Sequence, residues 1–134
     1  QKNAKAYGHN HRASYCLGNA AAMPFQDHQF DAVISNGSLH EWEAPERIFN
    51  EIHRVLKPSG KIFISDLRRD ISFFIRCLFY AGTKPSKMRK GLTSSLQAAY
   101  TARELEQIVK YTALTYAHVE ANPFGLLITG VKPV

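Results

Sequence analysis

The sequence predicts an α/β domain built on a mostly parallel sheet. Three observations carry the prediction. Short apolar or β-branched runs alternate with a strongly amphipathic helical stretch, in the order strand, strand, helix, strand. The run Phe30–Ser35 is apolar at its centre, the pattern of a strand buried on both faces. A capping box at Thr101-Ala-Arg-Glu104 and a turn at Asn122-Pro-Phe-Gly125 then mark a later helix and a closing antiparallel pair of strands.

In chain order, Ala4–Gly8 reads as a helix end stopped by glycine. Ala13–Leu17 reads as a short strand ending at Gly18-Asn19-Ala20, and Asp27-His28-Gln29 as a turn. The Phe30–Ser35 strand stops at Asn36-Gly37, a strong turn signal. Pro45 suits the first position of a helix, where a missing N–H costs nothing, and Glu43 and Glu46 suit its positive end. Ile48, Ile52, Val55 and Leu56 recur on one face of that helix, Lys57 closes it, and Pro58-Ser59-Gly60 breaks it. Lys61–Ser65 is a strand ending at Asp66. Ile71, Phe74, Ile75, Leu78 and Phe79 share a helical face, with Phe73, Cys77 and Tyr80 making the opposite side apolar too. Such a helix wants cover: a lid over substrate, a membrane surface, or, as the first choice, packing on the sheet or another subunit. Leu105, Ile108 and Val109 give the capped helix its buried face, and Leu114–Glu120 and Leu126–Val131 form the last strand pair.

The 134 residues suit one domain, and the 45% hydrophobic, 21% charged composition excludes disorder and collagen-like repeats. The longest apolar run, 71–82, is interrupted by Arg76 and falls short of the roughly 20 residues of a spanning helix. Lys2, Asn3 and Lys5 precede no hydrophobic stretch, so a cytoplasmic protein is expected. Cys16 and Cys77 sit in apolar segments and are expected to be buried free thiols in a reducing compartment. The histidines show no metal-ligand spacing. The net charge of +6 is concentrated: residues 68–90 hold seven basic side chains against Asp70 alone, while the segments on either side are balanced. A local basic patch suits an anionic partner or a solvated loop.

The stretch Gly18-Asn-Ala-Ala-Ala-Met-Pro-Phe-Gln-Asp-His-Gln-Phe-Asp-Ala-Val-Ile-Ser35 is followed by Leu39-His40-Glu41-Trp42 and Arg54-Val-Leu-Lys-Pro-Ser-Gly60. Together these resemble the middle of a class I S-adenosylmethionine-dependent methyltransferase, in the group that includes the ubiquinone/menaquinone biosynthesis enzymes. The resemblance implies a Rossmann-like sheet with a C-terminal antiparallel hairpin and S-adenosylmethionine as cofactor. It also implies methyl transfer to a small-molecule acceptor, hydrophobic or anionic. The family opens with a strand and a glycine-rich turn that lets backbone approach the cofactor. The eight glycines here include no Gly-x-Gly pair. By resemblance, residues 1–134 therefore form a single truncated domain, the C-terminal part, with the first two strands missing and the fragment alone inactive. Residues 67–100 fall where the family inserts its variable substrate cap.

By the same resemblance, Asn19 and Ala20 correspond to the loop beside the adenine, with Asn19 standing where Asp is usual. A turn closed by Asn19 is the alternative reading. Ser35 and Asn36 end the strand nearest the transferable methyl, or form a plain Asn-Gly turn. His40, at the mouth of the site, either takes a proton from the acceptor or positions its loop. Asp66 either lines the pocket or caps the following turn. No metal is implied. The absence of an Asn/Asp-Pro-Pro-aromatic motif speaks against a nucleic-acid base as acceptor. A competing hypothesis is a non-catalytic relative that binds an anionic partner through residues 68–90, or a membrane surface through Phe73–Lys90. The family's sheet order, 3-2-1-4-5-7-6, would leave Phe30–Ser35 at an open edge, and buried strands are not left so. The expectation is that Ala13–Leu17 covers it, or that a homodimer does, with or without exchanged elements.

Overall fold

The Phe30–Ser35 run forms the outer strand of a four-stranded mixed sheet in the computed structural model, which describes residues 6–8, 10–84 and 87–134. The strands are β1 (Phe30–Asn36), β2 (Leu56–Asp66), β3 (His118–Ala121) and β4 (Leu126–Val131), in the order β1-β2-β4-β3. β1 runs parallel to β2, and β2–β4 and β4–β3 are antiparallel. This is the partial Rossmann-like sheet with a closing hairpin that the sequence predicts. The parallel pair directs the C-terminal ends of β1 and β2 to one side, where ligands sit in such sheets.

Helix α1 (Pro45–Val55) starts on its proline, as expected. Its buried Ile48, Phe49 and Ile52 pack with Leu105 and Val109 of helix α4 (Ala102–Lys110) over Ile62, Ile64, Leu126 and Ile128 of the sheet. Each such side chain contributes on the order of 2 kcal/mol on leaving water. α4 carries the full capping box between Thr101 and Glu104. Between α1 and the main run of β2 the chain bulges: Phe30 pairs with Leu56 but Ala32 with Lys61. Ser59 takes φ +63 there, and a Cβ at Gly60 would lie 2.7 Å from the Lys57 carbonyl. The helix therefore ends at Val55, before the expected Lys57, and Pro58-Ser59-Gly60 makes a bulge inside β2 instead of separating helix from strand.

One face of the sheet is bare. Ile34 lies opposite Phe63, and Phe63 opposite Thr129; Ile34 and Phe63 are 73% and 44% exposed, with Val131 nearby at 54%.

Several expectations need correction. Ala13–Leu17 forms no strand and does not reach the β1 edge: the segment has no regular structure and exposes Tyr15 and Leu17. The β1 edge that it was expected to cover stays unpaired. The expected strand at Leu114–Glu120 shrinks to β3, because residues 111–116 turn and bury Leu114 under the sheet. Cys16 and Cys77 are free but exposed, since the segments holding them are not covered. Helix α2 (Phe73–Gly82) forms where expected but does not pack on the sheet; none of its residues is buried. It touches its neighbours through a Phe79–Phe124 ring stack at 6.3 Å and a Tyr80–Thr93 hydroxyl bond of 2.6 Å. Helix α3 (Met88–Ala98) was not signalled by the sequence, for it buries only Leu96 and has no side-chain N-cap. The Ala4–Gly8 helix end lies largely outside the described residues. Among those described, no helix is long and apolar enough to cross a membrane.

Candidate active site at the C-terminal ends of the parallel strands

β1 ends in Ser35 and Asn36, and β2 in Ser65 and Asp66, side by side. Gly37 takes φ +66, which glycine adopts without penalty, and its N–H donates to the Ser65 carbonyl at 2.8 Å. The Ser65 hydroxyl donates to Asn36 Oδ1 at 2.6 Å, and the Ser35 and Ser38 hydroxyls share a 2.7 Å bond. The chain after β1 is therefore folded back across the strand ends. It enters a short 3-10 turn, Leu39–Glu41, pinned by the fully buried Leu39.

That turn presents His40 to Asp66. The Asp66 carboxylate, 1% exposed, accepts from the His40 backbone N–H at 2.8 Å and lies 2.9 and 3.0 Å from His40 Nδ1. It also accepts from the Leu67 N–H at 2.7 Å. With Nδ1–H given to the carboxylate, Nε2 keeps its lone pair. Nε2 lies 4.0 Å from Glu41 Oε1. Asp66 caps the following turn and lines a cleft at the strand ends, the two roles open to it in the sequence, and it also holds the histidine.

His40 and Asp66 border a cleft of about 440 Å³. Asn36, Gly37 and Ser65 form its strand-end wall, and Phe79 and Phe124 an aromatic wall opposite. The β3–β4 turn is set by Asn122, whose Oδ1 accepts from the Phe124 and Gly125 N–H groups at 2.9 Å. Gly125 is forced, because a Cβ there would come within 2.2 Å of the Asp66 carbonyl.

The sequence candidates divide. Asn36 and His40 converge on the cleft, and Ser35 lies half-buried just behind it, bonded to Ser38. Asn19 and Ala20 lie in an exposed loop outside the cleft lining; Asn19 Oδ1 accepts from the Ala21 N–H at 2.9 Å, closing its own turn. That loop is anchored by a group whose role sequence reasoning missed. Arg54 donates to the Met23 and Phe25 carbonyls and to Asp27, and it pairs with Glu51, which accepts from the Met23 N–H. Hydrogen bonds to Glu51 and Asp27 hold the Arg54 guanidinium firmly protonated, and Arg54 holds Glu51 below the usual carboxylate range. The signal was the Arg54-to-Gly60 motif itself, whose first residue ties the 23–27 loop to α1. Among the described residues, no three His, Cys, Asp or Glu side chains converge as metal ligands do.

Residues 1–64 match the family model described as a methyltransferase domain. The demethylmenaquinone methyltransferase of Symbiobacterium thermophilum is 38% identical over 64 residues, covering 48% of this chain and 26% of that protein. The demethylmenaquinone methyltransferase of Protochlamydia amoebophila is 27% identical across the whole chain and 62% of its own length. A crystal structure of an S-adenosylmethionine-dependent methyltransferase from Aquifex aeolicus superposes with a TM-score of 0.67 at 14% identity, over 97% of this chain and 60% of that one. Over residues 1–64 the chain is similar to a methyltransferase domain, and its fold is that of the Aquifex aeolicus enzyme. It spans less than two thirds of the length of these relatives.

Proposed function

We propose that residues 1–134 are the acceptor-side part of a methyltransferase that alkylates a small molecule, with His40 taking the acceptor's proton. The observation that carries this reading is the His40–Asp66 pair bordering a cleft at the C-terminal ends of β1 and β2. When bound, S-adenosylmethionine supplies a methyl group on a sulfonium, a good electrophile that needs orientation more than activation. The residues present suit one side of it: Asn36 offers an amide, and Gly37 leaves its backbone open, with no atom within 4 Å of where a Cβ would stand. Asn19 and Ala20 would contact the adenine from the loop that Arg54 anchors.

For the acceptor, the step is a proton transfer. His40 Nε2 would take the acceptor's X–H proton, and the bound cofactor would supply the methyl group and depart as S-adenosylhomocysteine with the electrons of its methyl–sulfur bond. The resulting imidazolium is held by Asp66. Phe79 and Phe124 give the acceptor an apolar wall, and residues 67–100 act as its cap. A demethylmenaquinone-type acceptor is the first to test, since similar proteins are named demethylmenaquinone methyltransferases. In the full-length protein, His40→Gln is expected to lower kcat by roughly a hundredfold or more with little change in KM for S-adenosylmethionine. An unchanged kcat would remove His40 as the base. The 134-residue chain alone, lacking a Gly-x-Gly turn, is expected not to bind S-adenosylmethionine tightly in calorimetry. Tight binding would overturn the view that the rest of the cofactor site lies elsewhere. The free edge of β1 is assigned to a second copy of the chain when this part stands alone.

A further inference from the structure

A second cavity lies between α2 and α3, away from the His40–Asp66 pair. It encloses about 150 Å³ and is lined by Arg69, Arg76, Tyr80, Thr93, Leu96 and Gln97. We propose that this cavity is an anion site that takes the carboxylate or phosphate group of a small molecule, held by the Arg76 guanidinium.

The argument begins with what each donor already does. Arg69 is committed: it donates to the Ala99 carbonyl at 3.1 Å and pairs with Glu104. Arg76 is not. Its one hydrogen bond is a long 3.4 Å contact to the Arg69 carbonyl, and it has no carboxylate partner among the described residues. A guanidinium has five N–H donors in a planar fork that matches carboxylate and phosphate oxygens. The sequence offers no internal anion either. No Asp or Glu occurs between Asp70 and Glu104, while Arg76, Lys84, Lys87, Arg89, Lys90 and Arg103 all fall in that interval. Asp70 is taken by Arg68 at 2.8 Å.

The cavity walls are fixed in advance. Thr93 donates its hydroxyl to the Arg89 carbonyl at 2.9 Å, so the 2.6 Å contact from Tyr80 has the tyrosine hydroxyl donating to Thr93. This clamp joins α2 to α3 across the cavity, Leu96 closes the floor at 3% exposure, and the Gln97 amide adds a donor. The volume suits one carboxylate or phosphate group and is too small for a nucleic-acid strand. The site stands whether or not the methyl-transfer reading does.

The test is an NMR titration of the 134-residue chain with inorganic phosphate and, separately, with acetate, following the arginine Nε–H and backbone amide resonances. Saturable shifts at Arg76, Thr93 and Gln97 are expected. Arg76→Gln is expected to weaken binding by about tenfold or more, the effect of losing charge-assisted bonds. Lys84→Gln removes the same charge outside the cavity and is expected to leave the affinity within about twofold. Arg76→Lys, which keeps the charge but not the fork, should fall between wild type and Arg76→Gln. Equal weakening by Arg76→Gln and Lys84→Gln, or shifts that never saturate, would overturn the proposal in favour of diffuse attraction. So would Arg76-dependent binding to phosphatidic acid vesicles without any binding of free phosphate, which would make this a membrane contact.

Discussion

At the scale of single residues, Asp66 ties the end of β2 to the turn after β1. Its buried carboxylate satisfies the His40 and Leu67 backbone N–H groups and the His40 ring together. Removing it leaves those donors orphaned, so Asp66→Ala is expected to cost about 3 kcal/mol in urea denaturation. The cost comes with a loosened His40, visible as narrowed and shifted ring resonances. A loss under about 1 kcal/mol would mean that water replaces the carboxylate freely. Gly125 is the complementary case, where shape rather than polarity decides. A Cβ 2.2 Å from the Asp66 carbonyl cannot be relieved by rotating a side chain, because the obstacle is backbone. Gly125→Ala is expected to destabilise by about 3 kcal/mol and to displace the Phe124 wall of the cleft. An unchanged denaturation midpoint would show that the hairpin moves without cost. His40 was legible in the sequence because its motif is distinctive. The Asp66 partnership was legible only as two alternatives, because a strand-ending Asp suits both a cap and a pocket, and only the turn after β1 makes it both.

At the scale of elements, the two helices that cover the sheet announced themselves, and of the two between residues 67 and 100 only α2 did. α1 and α4 carry proline or capping-box starts and a clear apolar face. α2 is apolar all round yet unburied, so its pattern identified a helix but not a neighbour. The C-terminal end of α1 shows a device that no sequence pattern signals. Lys132, 6% exposed and beyond the last strand, donates its ammonium to the His53 and Leu56 carbonyls at 2.7 and 2.8 Å and lies 3.2 Å from His28 Nδ1. A cation there meets the negative end of the helix dipole, although burial pushes its pKa down. His53 pays the electrostatic cost. Burial first, then Lys132 and His28, lower its pKa from the ordinary 6.5. Its Nδ1 is buried without a partner beside the Tyr116 ring. Because the folded state binds this proton less readily than the unfolded one, stability is present above pH 6.5 and falls as the pH drops through 6.5 toward the folded value. The urea midpoint should decrease from pH 7.5 to pH 5.5, and His53→Phe should flatten that slope. An equally steep slope in His53→Phe would place the sensitivity in another group.

At the scale of the whole molecule, the sheet has a single helical layer and an unpaired edge at β1, and the two belong together. A strand that pairs in parallel is ordinarily covered on both faces. Here α1 and α4 cover one side, while Ile34, Phe63 and Val131 face solvent on the other. β1 pairs with β2 along one side and has no neighbour along the other, the order being β1-β2-β4-β3. The apolar centre of Phe30–Ser35 led to an expectation of burial on both faces, which the structure does not meet: no β1 residue is buried and Ile34 is 73% exposed. The partner was not legible, because a strand's pattern records that it is covered and never by what. Ala13–Leu17 illustrates the difference: it has the composition of a strand, yet it has no regular structure and leaves the β1 edge open. An exposed, apolar, unpaired strand is a template for another strand. The 134-residue chain is therefore expected to associate through β1, giving a concentration-dependent dimer in sedimentation velocity. The Ala32, Val33 and Ile34 amides that face the free edge should exchange slowly at high protein concentration and faster on dilution. Ile34→Lys, which places a charge on the bare face beside that edge, should weaken the association without lowering the denaturation midpoint, since Ile34 is 73% exposed. A monodisperse monomer whose β1 amides exchange freely at every concentration would show that the edge awaits a strand from elsewhere in a longer chain.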